Sequence, residues 1–174
     1  MAGRHLLLVG ISGSGKSTVG GIVADGLGAT LFDIDLLLVR QMGMPVSQMF
    51  GMLGEQAFRR MERDAVVAAC AAEGPSVIVP GAGWAAQPGQ MNAGKARSLT
   101  FYLQCPPKVA AARLQEGEVR PLLAGVDAEQ RLAAQLKERE PYYRLADYEV
   151  AAGKRPAADV AAEVVELARR HGGW

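Results

Sequence analysis

Short apolar runs alternate along the chain with longer segments whose apolar residues recur at three- and four-residue steps. The runs predict strands at His5–Val9, Thr30–Phe32, Ser76–Val79, Leu99–Leu103 and Tyr148–Val150. Uninterrupted apolar runs are typical of strands that are covered on both faces of a parallel sheet. Because strands alternate with helical segments, the pattern predicts an α/β fold with a five-stranded parallel sheet.

The segments between the runs have helical periodicity. A first helix starts at Ser17 and ends at Gly28. A long amphipathic helix opens at Pro45-Val46-Ser47, with Ser47 as its expected N-cap, and its apolar residues recur from Phe50 to Ala65. Three further helices are predicted at Val109–Leu114, Ala128–Leu145 and Val160–Arg169. Parallel sheets bind ligands at the carboxyl ends of their strands, so we expect the chemistry to lie where the runs end.

Length and charge narrow the function classes. The chain has 174 residues, the size of one domain, and we treat residues 1–174 as a single domain. Its 19 Lys and Arg against 18 Asp and Glu leave a net charge of +1, which argues against a protein that coats nucleic acid. The apolar runs are too short to cross a bilayer, and no secretory signal pattern precedes the first strand. We therefore expect a cytoplasmic protein without nucleic-acid or membrane partners, and we treat it as a monomer.

The segment from Gly10 to Ser17 matches the phosphate-binding pattern G-x-x-x-x-G-K-[ST] at every required position. Glycines let the backbone fold closely around phosphates, and the N–H groups at the start of the following helix attract anions. We expect Lys16 to reach the β- and γ-phosphates and the Ser17 hydroxyl to ligate Mg²⁺. The residues predicted to bind ATP with Mg²⁺ are Gly13, Ser14, Gly15, Lys16, Ser17 and Thr18.

Two carboxylates, Asp33 and Asp35, follow the second predicted strand. Residues two apart in an extended segment point the same way, so both could face one site. Beside a phosphate loop, one can help to hold Mg²⁺ and the other can orient or deprotonate an acceptor hydroxyl. The spacing alone is equally compatible with a solvated turn or with the N-cap of a following helix.

Together these motifs resemble the shikimate kinase family, with matching segments along nearly the whole chain. The segments are Gly10–Gly20, Asp33-Ile34-Asp35, Gly54–Glu62 with its F-R-x-x-E, Val119–Gly125 with its R-P-L-L, and Arg139–Tyr143 with its R-x-P-x-Y. The resemblance implies a three-layer α/β/α P-loop kinase fold with a mobile lid. It also implies transfer of the γ-phosphoryl group of ATP to the 3-hydroxyl of shikimate, with Mg²⁺, in aromatic amino-acid biosynthesis.

The resemblance assigns roles on the phosphate side of the site. It implies that Lys16 binds the transferred phosphoryl group, that Ser17 and Asp33 arrange Mg²⁺, partly through water, and that Asp35 is the candidate base for the attacking hydroxyl. The resemblance also implies which residues bind shikimate: Asp35, Arg59, Gly81, Ala82, Gly83 and Arg139. Arginine suits the substrate carboxylate because its planar guanidinium pairs with two oxygens at once.

Three more arginines are implied on the nucleotide side. Arg120 is expected to be catalytic, on a lid at about residues 115–125 that closes over the phosphates. Arg113 is expected to lie against the adenine, and Arg155 lies in a turn that resembles the segment closing the base pocket.

The chain departs from the family pattern after the third strand. Family members have three consecutive glycines, whereas this chain has Gly81-Ala82-Gly83, preceded by Pro80 and followed by Trp84. The Cβ of Ala82 would be strained if that position required a positive φ, and Trp84 could either reshape the pocket or cover the core.

Two alternative functions remain open at this stage. One is a kinase of another small hydroxy acid such as gluconate, although R-P-L-L and F-R-x-x-E are not expected in gluconate kinases. The other is a nucleotide-binding module without catalysis. The presence of Lys16, Ser17, Asp33 and Asp35 together argues against that module.

Overall fold

Five parallel strands form one sheet in the computed structural model, which describes residues 4–117 and 126–174. They are β1 (His5–Val9), β2 (Thr30–Asp33), β3 (Ser76–Val79), β4 (Ser98–Gln104) and β5 (Tyr148–Ala151). Their order is β2-β3-β1-β4-β5, and every neighbouring pair is parallel. Leu6 of β1 lies opposite Val77 of β3 on one side and opposite Leu99 of β4 on the other. The predicted parallel sheet is confirmed.

Eight helices connect or flank these strands in the described part of the chain. They are α1 (Lys16–Leu27), α2 (Ile34–Met42), α3 (Val46–Leu53), α4 (Glu55–Ala71), α5 (Gln90–Arg97), α6 (Pro107–Gly117), α7 (Val126–Tyr143) and α8 (Ala157–His171). Of these, α5 has no counterpart among the sequence predictions, and α2 was considered only as the helix that Asp33 or Asp35 would cap.

Helices cover both faces of the sheet, so the three-layer arrangement is confirmed. Leu6 and Leu8 of β1 point to one side, where they pack with residues of α1 and α8, including Val23. Leu7 and Val9 point to the other side, where the core includes residues of α2 to α7. All four β1 side chains are at most 3% exposed. Burial on both faces explains why the strand is an uninterrupted apolar run.

The single long helix predicted from Phe50 to Ala65 is wrong, because the chain breaks at Gly54 into α3 and α4. Gly54 has a φ of +83°, which ends the helical conformation and is open to glycine at little steric cost. The apolar periodicity continues across the break because both helices face the same core, where the Phe50 and Phe58 rings are 4.6 Å apart.

Ser47 is not the N-cap of α3, contrary to the sequence prediction. Pro45 occupies that position with φ −68° and ψ 157°, and α3 begins at Val46. Proline has no N–H to leave unsatisfied, and its fixed φ favours a helix start nearby.

The topology brings three segments together at the carboxyl edge of the sheet. The phosphate loop follows β1, Asp33 ends β2, and Pro80 with the loop Gly81–Gly83 follows β3. Because β3 lies between β1 and β2, these segments are neighbours in space.

In the ranges 4–117 and 126–174, none of the helices combines the length and the apolar character that a membrane span requires.

We predict that Gly20→Ala lowers the free energy of unfolding by about 1–2 kcal/mol. A Cβ at Gly20 of α1 would lie 2.8 Å from Val79 Cγ2, and a β-branched side chain on a strand has little rotamer freedom to move away. The matched control is Gly21→Ala, whose Cβ would have its nearest neighbour, Leu31 Cδ2, at 4.0 Å. Alanine at that helical position should stabilise by about 0.5–1 kcal/mol. Chemical denaturation measures both variants, and equal stability of the two would contradict the prediction.

Candidate active site

The phosphate loop between β1 and α1 depends on glycine conformations. Gly13 and Gly15 have φ values of +81° and +91°, in the region that disfavours any residue with a Cβ. Gly15 is the N-cap of α1 and no side chain caps that end, so the first N–H groups of the helix face the loop's interior. Ser17 and Thr18 are exposed in the first turn of α1. This is the geometry that binds phosphate groups.

Lys16 is the buried cation of the loop. Its Nζ donates hydrogen bonds to the Gly10 and Ile11 carbonyl oxygens at 2.7 and 2.9 Å, and the residue is 9% exposed. Burial lowers the pKa of Lys16 to about 8, whereas the charges of Asp35 and Asp33 act to raise it. Lys16 therefore keeps its proton at neutral pH and has two carboxylates close enough to influence its charge.

Asp33 and Asp35 reach the site by a route that differs from the predicted one. Only Asp33 is in a strand; Asp35 lies in the first turn of α2, so the extended-segment argument for their shared direction is wrong. Asp33 is the N-cap of α2, where its Oδ1 accepts a hydrogen bond from Leu36 N at 3.4 Å. The capping role considered from the sequence is therefore present, and it leaves the second oxygen of Asp33 available to a ligand.

Asp35 has an unusual environment for a carboxylate. Its Oδ1 is buried and has no hydrogen-bond partner among residues 4–117 and 126–174. Burial raises the pKa of Asp35, and the charge of Asp33 raises it further, while Lys16 and Arg59 act in the opposite direction. An oxygen of this kind can be satisfied by a hydroxyl group that a ligand brings into the site.

Arg59 on α4 is held from several sides. Its Nη1 donates to Glu62 Oε1 at 3.0 Å, and its Cζ lies 5.4 and 5.6 Å from the ring centroids of Phe50 and Phe58. Ring faces attract a guanidinium, so the two phenylalanines and the carboxylate together restrict its orientation. Its Nε is buried without a partner in the described part of the chain and remains free to donate to a bound anion.

Glu62 is a further charged residue at this site, and the sequence predictions gave it no role. Its side chain is fully buried, and its second oxygen, Oε2, accepts a hydrogen bond from Gly81 N at 3.1 Å. Burial raises the pKa of Glu62 to about 7, with a further contribution from Asp35, although Arg59 and Gly81 oppose the change. The i,i+3 spacing from Arg59 within F-R-x-x-E was the available sequence signal.

The loop Gly81–Gly83 approaches these side chains so closely that a Cβ at either glycine would require them to move. A Cβ at Gly81 would lie 2.8 Å from Asp35 Oδ1, and a Cβ at Gly83 would lie 2.7 Å from Arg59 Cζ. The requirement is therefore space. Ala82 does not have a positive φ, so its Cβ causes no backbone strain.

Trp84, the other departure, belongs to the core. It is 1% exposed and packs among the buried residues on the α5 side of the sheet, close to Gly94 and Leu7. The first of the two sequence interpretations, a reshaped pocket, is therefore not what this side chain does.

Arg139 on α7 completes the charged part of the site. Its charge acts to lower the pKa of Lys16 and opposes the rise in the pKa of Tyr143. The Tyr143 hydroxyl donates to the Ala82 carbonyl oxygen at 2.6 Å. Lys16, Asp35, Arg59 and Arg139 thus each act on the pKa of another group of this site.

The three arginines predicted on the nucleotide side differ in position. Arg113 donates to the Ser14 carbonyl oxygen at 3.2 Å and to the Ala152 carbonyl oxygen at 2.9 Å. It therefore connects the phosphate loop with the segment after β5. Arg155 instead pairs with Glu163 of α8 at 2.6 Å. Arg120 and residues 118–125 of the predicted lid lie outside the described residues.

The donor set beside the phosphate loop fits Mg²⁺. The Ser17 hydroxyl and the second oxygen of Asp33 are hard oxygen ligands, which this ion prefers. Among residues 4–117 and 126–174, no three His, Cys, Asp or Glu side chains cluster as a metal cage. Mg²⁺ commonly binds through one or two protein oxygens with phosphate oxygens and water, so a full protein cage is not needed.

A family model, curated relatives and a solved structure are all similar to this chain along nearly its whole length. A family model described as shikimate kinase matches residues 12–169. A shikimate kinase of Caldanaerobacter subterraneus is 35% identical over 162 residues, which cover 93% of this chain and 94% of the relative. One of Moorella thermoacetica is also 35% identical over 162 residues, covering 93% of this chain and 92% of the relative. The solved structure of a shikimate kinase from Acinetobacter baumannii in complex with shikimate has a TM-score of 0.86 and 30% identity, covering 96% of this chain and 93% of that chain.

The buried carboxyl of Glu62 predicts a pH dependence of stability. Its pKa in the folded protein, about 7, lies above the ordinary value of 4.5, so the folded state holds this proton more tightly than the unfolded chain does. The stabilisation is therefore complete below pH 4.5 and is lost as the pH rises through about 7. We expect this loss to be at most about 3 kcal/mol in the free energy of unfolding.

The measurement is urea denaturation of wild type and Glu62→Gln between pH 4.5 and 8. The slope of the free energy of unfolding against pH is compared between the two proteins, because Asp35 contributes to that slope in both with the same sign as Glu62. Glu62→Gln should reduce the fall in stability. Glu55→Gln, which changes a side chain on the same helix that is 68% exposed, is the control and should retain the wild-type slope. Equal slopes for wild type and Glu62→Gln would contradict the prediction.

Proposed function

The chain belongs to the shikimate kinase family, and we propose from this premise that it transfers the γ-phosphoryl group of ATP to the 3-hydroxyl of shikimate. The observation that carries the proposal is the convergence of Lys16, Asp35 and Arg59 around the loop Gly81–Gly83. A phosphate-binding cation, an unsatisfied carboxylate oxygen and a clamped guanidinium match the three groups of the reaction: phosphate, hydroxyl and carboxylate. The protein is thus an ATP-dependent kinase of a small hydroxy acid.

On the phosphate side, the loop amides and Lys16 bind the triphosphate. We propose that the Lys16 ammonium exchanges its contacts with the Gly10 and Ile11 carbonyl oxygens for phosphate oxygens when ATP binds. Ser17 and Asp33 would hold Mg²⁺, which neutralises phosphate charge when bound. Transfer of a phosphoryl group depends mainly on positioning and on this electrostatic stabilisation.

On the acceptor side, Asp35 orients the attacking hydroxyl. Its buried Oδ1 would accept the hydrogen bond of the 3-hydroxyl and direct the oxygen toward the γ-phosphorus. The raised pKa of Asp35 makes this carboxylate a better proton acceptor than an exposed aspartate. The charge of nearby Lys16 acts to lower the pKa of Asp35 and so opposes the effect of burial.

The substrate carboxylate would be bound by Arg59 and Arg139. Arg59 offers its unpartnered Nε, and its orientation is already restricted by Glu62 and by two phenylalanine rings. A preorganised guanidinium loses less conformational entropy on binding, which favours affinity. Gly81, Ala82 and Gly83 would form the wall against the ring of the substrate.

The remaining assignments are part of the same proposal and are supported by the family resemblance. We propose that Arg120 and a lid at about residues 115–125 close over the phosphates, and that Arg113 and Arg155 flank the adenine. The contact of Arg113 with the phosphate loop supports its place there. We also propose that residues 1–174 work as a monomeric single domain in the cytoplasm, without a nucleic-acid partner, in aromatic amino-acid biosynthesis.

Acceptor specificity tests the proposed function directly. In a coupled assay of ADP release, shikimate should support turnover far better than gluconate or other small hydroxy acids, because the proposed site pairs the arginines with the ring carboxylate and Asp35 with the 3-hydroxyl. Lys16→Ala should reduce kcat by at least about 100-fold, since it removes the cation at the transferred group. Turnover with gluconate in preference to shikimate would favour the acyclic-acid alternative. Absence of turnover with every acceptor, while ATP still raises the melting temperature, would favour the inactive module.

The role of Arg59 has a matched control on the same helix. Arg59→Ala should raise the KM for shikimate by about 10- to 100-fold, the range of a charge-assisted bidentate contact, and should leave the KM for ATP nearly unchanged. Arg60→Ala removes the neighbouring, exposed arginine and should leave both KM values at wild-type levels. The carboxylate role is wrong if the shikimate KM of Arg59→Ala equals that of Arg60→Ala.

A further inference from the structure

We propose that Tyr143 is a positioning residue for the acceptor site, which connects Arg139 to the loop Gly81–Gly83 and, through that loop, to Arg59. The inference rests on the proposed function, since it concerns how the same acceptor is held. It assigns a task to the last residue of the R-x-P-x-Y segment, which the phosphoryl transfer described above does not use.

The Tyr143 hydroxyl is built into the site. It donates to the Ala82 carbonyl oxygen at 2.6 Å, across 61 positions of sequence, and the residue is 0% exposed. Its ring stacks on Tyr102 with centroids 5.2 Å apart, which leaves the hydroxyl little choice of direction. A short hydrogen bond from a fully buried ring therefore sets the position of the Ala82 carbonyl.

The Tyr143 hydroxyl can accept a hydrogen bond as well as donate one. Its single hydrogen is donated to Ala82, so toward any other neighbour it can only accept. Arg139 is near enough for its charge to act on the hydroxyl, and a guanidinium is only a donor. Donor and acceptor roles are thus complementary along the line from Arg139 through Tyr143 to Ala82.

The loop transmits this position to the other arginine. Gly83 contacts the Arg59 guanidinium so closely that a Cβ there would overlap it, and Gly81 N is held by Glu62, the carboxylate that binds Arg59. The loop is also internally tied, since Trp84 N donates to the Gly81 oxygen at 3.1 Å. A shift of Ala82 would therefore move the backbone against which Arg59 packs. Arg59 and Arg139 would then no longer be aligned to bind the same substrate carboxylate.

A purely structural role would give a different result, and the chain contains two matched controls. Tyr102 is also buried, at 2% exposure, but its hydroxyl donates at 2.8 Å to Glu140, away from the loop. Tyr142 is adjacent to Tyr143 and is 40% exposed. Tyr143→Phe removes the hydroxyl that contacts the loop. Tyr102→Phe removes a buried hydroxyl elsewhere, and Tyr142→Phe removes a hydroxyl at the surface.

The kinetic test measures KM for shikimate, KM for ATP and kcat for the three variants. Tyr143→Phe should raise the KM for shikimate by about three- to tenfold, the effect of one hydrogen bond, with a smaller change in KM for ATP. Tyr102→Phe can lower the melting temperature, but it and Tyr142→Phe should leave the shikimate KM at the wild-type value. The inference is overturned if Tyr143→Phe has the wild-type shikimate KM, or if Tyr102→Phe raises that KM equally.

A second measurement does not depend on the identity of the acceptor. Hydrogen exchange at the Gly81 and Trp84 amides, both hydrogen-bonded in the loop, should be faster in Tyr143→Phe than in wild type and unchanged in Tyr102→Phe. Unchanged exchange in Tyr143→Phe would overturn the inference even if shikimate is the acceptor. Faster exchange together with no shikimate turnover by wild type would instead refute the proposed function and leave the positioning role supported.

Discussion

The hydrogen bonds of the buried Glu62 carboxylate to Arg59 and Gly81 N are the interaction on which the site around the loop Gly81–Gly83 depends. A fully buried carboxylate is unfavourable unless its oxygens are paired, and here each oxygen has one partner: Arg59 for Oε1 and Gly81 N for Oε2. One side chain of α4 therefore sets both the position of a guanidinium and the position of the loop after β3. Removing either partner would leave charge or hydrogen-bonding capacity unsatisfied in the interior, so the two positions are energetically linked.

The same edge of the sheet contains opposing charges that moderate one another. Burial disfavours the charged forms of Lys16, Asp35 and Glu62, yet each has an opposite charge nearby. Lys16 and Arg59 both act to lower the pKa of Asp35. Under the proposed function, the cations of this edge would stabilise an anionic nucleotide and an anionic acid bound side by side.

Much of the fold and part of the site were predictable from local patterns. All five strands, the first helix ending at Gly28 and the phosphate loop are properties of short segments, where apolar runs and glycine spacing act directly on the backbone. The errors occurred where local signals conflict. The helical periodicity from Phe50 to Ala65 concealed the break at Gly54, and Asp33-Ile34-Asp35 suggested an extended segment although α2 begins within it.

The chain alone thus determined where strands end and which residue types stand there, because those depend on neighbours in sequence. It indicated Lys16, Asp35, Arg59 and Arg139 as site residues, and the fold brings them together. The partners that orient them were beyond local inference. Glu62 meets Gly81 across 19 positions and Tyr143 meets Ala82 across 61, contacts that exist only after the helices pack on the sheet. Packing likewise put Trp84 in the core, since burial of an aromatic ring depends on which surfaces surround it and the residue type does not specify them.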